Sequence, residues 1–457
     1  MVFKRSLLAA SVAATLFASG AANATNGYFS HGYGVKSMGM GGGGVALPND
    51  SAMIIATNPA GITETGTQVN FDISWFHPVR GYEFTNNATL QQFGFPASGS
   101  ATSGSSNFYI PEFSASYAID NSNSIGIAMF GNGGMNTDFS STSDGNYLFN
   151  PFKPNNTGTY GGGPAGVNLK QLFIAPTYAH KFMDGKLSLG ATLLFARQTI
   201  DVQGISGFGP YSVLNGQNLS NNGFSTSTGW GGKLGVLFHA TDAVTLAGSY
   251  QTKMSMSKFD QYSGLFAEGG KFDIPSTWTV GGAFQVAPAW TLTADFQRIN
   301  YSGVKSISDP SAANLYSYAT GIDPTKGLGG SNGAGFGWKN VNVVKLGAQW
   351  QVNPALQLRV GYNHGTNPIG SADALFNTIA PGVVTNHYTA GFTYAIDKHQ
   401  EISGALMYAP TVTVSGNNPL LTNQIAQMTQ GQVTTADQKL SINMKQYEAT
   451  VGYAYKF

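Results

Sequence analysis

The side chains most able to do covalent or metal chemistry are few and scattered. The chain has no cysteine, which removes thiolate metal sites and disulfides. Its seven histidines stand at His31, His77, His180, His239, His364, His387 and His399, with no close metal-ligand spacing and no serine, histidine and acid gathered in a motif. The run Gly41–Gly44 is not followed by Gly-Lys-Ser/Thr, so it is no phosphate loop. No enzyme and no cofactor is expected. What remains is a set of charges placed on the polar face of alternating segments. The acids are Asp72, Glu112, Asp295, Glu401 and Glu448, and the bases Lys233, Lys253, Lys339, Lys345 and Arg359. Gathered in one enclosure, such charges need partners or water. They either hydrate an open pore or seat a plug.

The elements that carry them alternate strictly. Val69, Phe71, Ile73 and Trp75 interleave with Gln68, Asn70, Asp72 and Ser74, which describes a strand with one apolar and one polar face. The same period returns down to Tyr447, Ala449, Val451, Tyr453, Tyr455 and Phe457, giving fourteen strands. The third, with Ile125, Ile127 and Met129, reads as short. Seven long connections alternate with six short ones, so both chain ends fall on the side of the short turns. Charged residues are 10% of 457, well under the share of about 25% in soluble domains. An even strand number, sorted loop lengths and Trp75, Trp278, Trp290 and Trp350 near strand ends together predict an all-β, 14-stranded antiparallel transmembrane β-barrel of a Gram-negative outer membrane. The net charge of +1 gives no electrostatic case for nucleic acid.

Residues 1–24 read as an export signal: Lys4 and Arg5, an apolar run from Leu7 to Phe17, and Ala22-Asn23-Ala24 as the cleavage site. Residues 25–66 keep neither period. Their glycine cannot build a core, yet Val45, Ala46, Leu47, Met53, Ile54 and Ile55 call for burial. This segment is available as a plug in the lumen of a 67–457 barrel. Terminal Phe457, after Tyr453 and Tyr455, resembles the label that outer-membrane assembly machinery reads. Outer-membrane lipid and lipopolysaccharide are the expected surroundings.

Small residues and glycine, then Asn49-Asp50, then Asn58-Pro59-Ala60, make the N-terminal segment resemble that of the FadL/TodX family of outer-membrane transporters for hydrophobic compounds. Phe272-Asp273-Ile274-Pro275-Ser276-Thr277-Trp278, the Val-x-Pro-x-Trp turn at 286–290, and Arg359 followed by Asn367-Pro368-Ile369 extend the similarity along the mature chain. The loop at 203–228 departs from it, with little helical patterning. The resemblance implies that Asn58, Pro59 and Ala60 fix the turn of an N-terminal hatch, opposite a kink in the third strand. It implies capture of a hydrophobic small molecule or fatty acid at outer loops, binding next to the hatch, and exit sideways through the wall. Candidates for capture are Leu214 and Phe224 in one loop and Tyr262, Leu265 and Phe266 in the next, with Lys339 as partner for a carboxylate. Gly126, Gly131, Gly133 and Gly134 are candidates for the lateral gate. Uptake of aromatic hydrocarbons by the same route and general diffusion as a porin are the alternatives.

Overall fold

The computed structural model describes residues 25–48, 51–140, 148 and 158–457. The expected leader at 1–24 and Asn49-Asp50 lie outside the described residues. Two strands of the sixteen-stranded sheet, Ser98–Thr102 and Ser255–Met256, are short outer extensions, and the other fourteen form the wall. In chain order these are β1 Gln68–Asn86, β2 Phe108–Ala118, β3 Asn123–Asp138, β4 Gly166–Phe182, β5 Leu187–Gln203, β6 Ser225–Thr241 and β7 Val244–Gln251. They continue as β8 Thr277–Ala287, β9 Trp290–Ile299, β10 Val341–Asn353, β11 Leu356–Gly365, β12 Asn386–Ala395, β13 Gln400–Asn417 and β14 Gln438–Lys456.

Every neighbour is antiparallel. The ring closes where β1 pairs β14, from Gln68↔Lys456 to Asn86↔Gln438. Closure leaves neither end of the sheet as a free edge, the condition for a strand structure to live in hydrocarbon. Among the described residues no helix is long and apolar enough to cross a membrane. The alternating apolar side chains face outward. Leu193, Leu234, Val360, Leu406 and Val451 are all more than half exposed along five different strands, as a lipid-facing surface requires. Trp290 and Trp350 face each other across β9 and β10 near the short turns, rings stacked at 5.4 Å. Trp75, Trp290 and Trp350 are exposed, and Trp278 half-buried.

Two features depart from the strand pattern read above. β3 is not short. It runs for 16 residues and carries a bulge between Gly131 and Gly133. The lumen is also not polar throughout. Its half near the short turns is polar, but towards the long loops the inward positions turn apolar: Phe76, Phe130, Phe173, Leu194, Val343 and Met444 are all buried. Adjacent apolar pairs mark this change, since neighbouring residues on a strand face opposite sides. Trp75-Phe76, Phe173-Ile174, Leu193-Leu194 and Val343-Val344 are such pairs.

A charge on the outward face should be costly only at membrane depth. Leu234→Arg on β6 is expected to lose about 2–4 kcal/mol of barrel stability. Ser331→Arg on an exposed outer loop should lose under about 0.5 kcal/mol. Urea unfolding in lipid vesicles reads both.

Candidate functional site

The N-terminal segment holds only short helical turns, Val35–Met38, Ala52–Ala56 and Pro59–Glu64. Turns satisfy part of its backbone, but buried N–H and C=O groups between them need partners from elsewhere. Wall side chains supply the partners. Glu112 accepts from the Gly34 N–H at 2.7 Å and Asp72 from Val35 at 3.4 Å. Asp295 accepts from Gly44 at 2.7 Å and Val45 at 3.0 Å. Lys345 donates to the carbonyls of His31 and Gly42 at 3.0 and 3.1 Å, and Lys233 donates to that of Ala56. Asn363 donates to Gly41 C=O at 3.0 Å, while Gly41 N–H reaches Thr389 at 2.8 Å. Asp295, Lys345, Asn363 and His387 are direct cross-strand neighbours on β9 to β12, so one row of the wall holds one stretch of the segment. A side-chain ion pair, Lys36 with Glu401, adds to this, and His31 lies within 3.6 Å of Glu448.

The wall also makes room. At Gly190, Gly235, Gly281, Gly347, Gly361, Gly391 and Gly452, a Cβ would run into an atom of the N-terminal segment. Gly190 pairs directly with Gly235, and Gly347 with Gly361. These bare positions let the segment's backbone lie against the sheet. Asn58-Pro59-Ala60 seats on the first pair. The Asn58 side-chain amide donates to Val45 C=O at 3.0 Å and to Val236 C=O of β6 at 3.1 Å, and its Oδ1 accepts from Ala60 N–H at 3.1 Å. The motif therefore docks on β5 and β6, two strands along from β3, and does not stand across the barrel from the kink.

Above this polar seat, the segment's first residues enter the apolar half. Tyr28 and Phe29 are buried against Tyr301, with Tyr28 also against Phe272 and Trp338. The Tyr301 hydroxyl accepts from the N–H groups of Tyr28 and Phe29 at 3.2 and 3.4 Å and donates to Asn26 C=O at 2.6 Å. Here the wall is interrupted. β2 and β3 pair only from Phe113↔Met129 to Ala118↔Ser124. Beyond Met129, β3 keeps β4 on one side and loses β2 on the other. Its freed edge is met by the N-terminal segment. Ser30 N–H donates to Asn132 C=O at 3.1 Å and Gly134 N–H to Tyr28 C=O at 3.0 Å, with Phe29 opposite Gly133. Gly133 has no Cβ, and one there would overlap the Tyr28 carbonyl. Tyr33 completes the contact, its hydroxyl donating to Asn132 and its ring 4.9 Å from that of Phe130.

The expected residues divide accordingly. Asp72, Glu112, Lys233, Asp295, Lys345, Glu401 and Glu448 converge on the N-terminal segment. Arg359 lies in the lumen but bonds wall residues Gln349, Gln357 and Thr393. Lys253 does not face the segment; it is half exposed and pairs with Asp273 at 3.0 Å. Gly131, Gly133 and Gly134 stand at the interruption. Gly126 does not: it lies in the continuous ladder between Ser116 and Thr177 and makes room for Ile55. Leu214 and Phe224 are exposed, but Tyr262, Leu265 and Phe266 are buried in the apolar core, so the five form no single surface patch. Burial pushes the Tyr262 phenol up, and its hydroxyl donates to Gly223 C=O at 2.7 Å. Lys339 is exposed and its backbone N–H meets Pro368 C=O, while its neighbour Trp338 is the buried residue. Tyr28, Phe29 and Tyr301 went unforeseen, because their grouping joins residues some 270 positions apart.

A family model described as outer membrane protein transport protein (OMPP1/FadL/TodX) matches residues 11–457. The fold is similar to that of the Pseudomonas putida toluene transporter TodX, at 18% identity and TM-score 0.64 over 93% of this chain and 99% of that one. It is similar to a Pseudomonas aeruginosa FadL homologue at 14% identity and TM-score 0.64, over 94% and 100%. For the Ralstonia pickettii toluene transporter TbuX the values are 17% and 0.57, over 93% and 99%. A search of curated proteins finds no match to the sequence.

Substitutions that crowd or unbind the segment should release it without unfolding the wall. Gly361→Val and Asn58→Ala are expected to expose residues 25–66 to added protease. Asn58→Ala weakens the seat by about 1–3 kcal/mol. Both barrels should keep the heat-dependent gel mobility of the parent, and continued protection of the segment in both would contradict the seating described.

Proposed function

The chain belongs to the OMPP1/FadL/TodX family of outer-membrane transport proteins, and from that premise we propose that residues 25–66 are a hatch in a 67–457 barrel that passes hydrophobic compounds. The solute enters the apolar half of the lumen from the long-loop side, displaces Tyr28 and Phe29 from the free edge of β3, and leaves sideways between β2 and β3 into the membrane. The observation that carries this reading is the break in the β2–β3 ladder beside an apolar interior, met by two backbone hydrogen bonds from the N-terminal segment. Each such bond nets about 0.5–1.5 kcal/mol. Displacing Tyr28 and Phe29 also releases their N–H bonds to the Tyr301 hydroxyl, a loss that the entering solute's buried apolar area has to offset.

A sideways exit suits a hydrophobic solute, which reaches hydrocarbon without crossing the polar seat. A direct path to the periplasm is poorly supported. A void of about 350 Å³ lies on the short-turn side among Leu47, Pro48, Gln351 and Pro354, but the voids further in beside the seated segment measure about 30 and 20 Å³, room for a water or two. This disfavours a general diffusion porin. The solute class spans long-chain fatty acids, related lipophiles and aromatic hydrocarbons, the last favoured by the similarity to the toluene transporters TodX and TbuX. Leu214 and Phe224 remain candidates for first contact at the surface.

Asn132 is the extra residue of the bulge, since Gly131 opposes Leu172 and Gly133 opposes Gln171. Deleting it should return β3 to an unbroken ladder and lower cellular uptake of hydrophobic solutes at least tenfold, with normal amounts of assembled barrel. Undiminished uptake would rule out the sideways exit.

A further inference from the structure

The outward faces of β4, β5 and β6 turn from apolar to polar at one level. Going from the short turns towards the long loops, β4 carries Tyr178, Ile174 and Leu172 and then Lys170. β5 carries Leu189, Leu193 and Phe195 and then Arg197, and β6 carries Val236, Leu234 and Trp230 and then Thr228. Register sets these steps side by side, with Leu172 opposite Arg197 and Arg197 opposite Thr228. The Phe195 and Trp230 rings lie 4.8 Å apart just below, as aromatic girdles do at the edge of the hydrocarbon. From Leu187 to Phe195, β5 has the length of roughly 9–11 residues that crosses a bilayer. Lys170 and Arg197 therefore stand at the headgroup level of the outer leaflet.

Among the described residues, neither cation meets an acid. Arg197 is exposed, and its guanidinium has no hydrogen bond or ion pair there. Lys170 has a ring in place of a carboxylate. Its ammonium lies 5.3 Å from the centre of the Phe224 ring, a contact that steadies the charge without neutralising it. Lys170 opposes Thr199, two residues on from Arg197, so the two cations are diagonal neighbours about 7–8 Å apart. The carboxylate that follows on β5, Asp201, is turned to other partners. It accepts from the Gln203 amide at 2.8 Å and lies 3.0 Å from the Tyr262 hydroxyl.

Two unneutralised cations directly above a greasy wall match a lipid whose head carries concentrated negative charge. We propose that Lys170 and Arg197 hold a phosphate of lipid A, the membrane anchor of lipopolysaccharide, with its acyl chains lying along Leu172, Leu193 and Leu234. Guanidinium meets a phosphate through two parallel hydrogen bonds, and the ammonium adds a point charge. Thr199 and Thr228, beside them in the ladder, bring hydroxyl donors to the same level. A soluble anion would find only an exposed charge pair here, weak and screened by salt. A lipid adds contact along the wall and is kept at this level by the membrane itself. The assignment rests on the barrel's place in the outer membrane and is independent of the sideways exit.

The test is native mass spectrometry of the full mature protein in detergent. The probes are lipid A with its phosphates, the same lipid stripped of phosphate, and inorganic phosphate. The parent should bind the phosphorylated lipid at least tenfold more tightly than the stripped one. Lys170→Gln/Arg197→Gln should lose that preference and bind the stripped lipid as the parent does. Arg197→Gln alone should lose part of it, and Lys170→Arg/Arg197→Lys should keep it. Lys186→Gln, at the short turn between the same two strands, should behave as the parent. Equal binding of the two lipids by the parent overturns the proposal without recourse to a variant. So does a double Gln variant that keeps the parent's preference, which would place the phosphate elsewhere on the barrel. Displacement of the lipid by millimolar inorganic phosphate would also overturn it, by assigning the cations to a free anion.

Discussion

A backbone without secondary structure cannot be buried unless something else satisfies its polar groups, and this requirement organises the molecule. The N-terminal segment brings only short turns into an enclosed space, and these leave some of its backbone groups without internal partners. The barrel answers with carboxylates for its N–H groups, ammonium and amide groups for its carbonyls, and glycines where it lies closest. The charges of the lumen are thus neither a hydrated pore lining nor simple ion pairs. Several bind peptide groups, the use of buried charge that needs the most exact placement. The cross-strand row Asp295, Lys345, Asn363 and His387 shows how the sheet achieves it, since register alone sets these side chains side by side.

The same requirement accounts for the gap in the wall. A β3 edge that has lost β2 exposes ladder groups, which hydrocarbon does not tolerate. Tyr28 and Ser30 meet that edge as a short strand would. The segment thereby has two roles in one path. Its polar stretch is held firmly by the lower wall, while its aromatic start rests on fewer hydrogen bonds at the break in the β2–β3 ladder. Motion at the start then requires no unfolding of the remainder. Because the chain comes from an outer-membrane transport family, this division offers a way to open a path for solutes while the lower seat stays closed.

Much of the wall was legible in the sequence. Fourteen strands, the order of long and short connections, and eight of the lumen charges follow from a period of two and from face assignment. The length of β3 was not, because Gly131, Gly133 and Gly134 break its period while hydrogen bonding to β4 continues past them. The apolar half of the lumen was written in adjacent pairs such as Trp75-Phe76, which an assignment of one greasy face to each strand passes over. Loop burial was illegible for a different reason. Leu265 and Phe266 look like a surface patch in isolation, and only packing against Phe259 and Phe272 makes them core. Gly126 shows the same limit: a glycine in a strand marks either a break or a close neighbour, and here the neighbour is Ile55.

The central claim is that the exit opens only when the N-terminal segment leaves β3. The chain has no cysteine of its own, so a Ser30→Cys/Asn132→Cys pair, at two residues already joined by a backbone hydrogen bond, would give a single defined tether. Uptake of a hydrophobic solute by cells carrying this variant, measured under oxidising conditions and again after reductant, is the most direct test. The account predicts uptake that is blocked when oxidised and restored on reduction. Equal uptake in both states, with the disulfide shown to have formed, would contradict it.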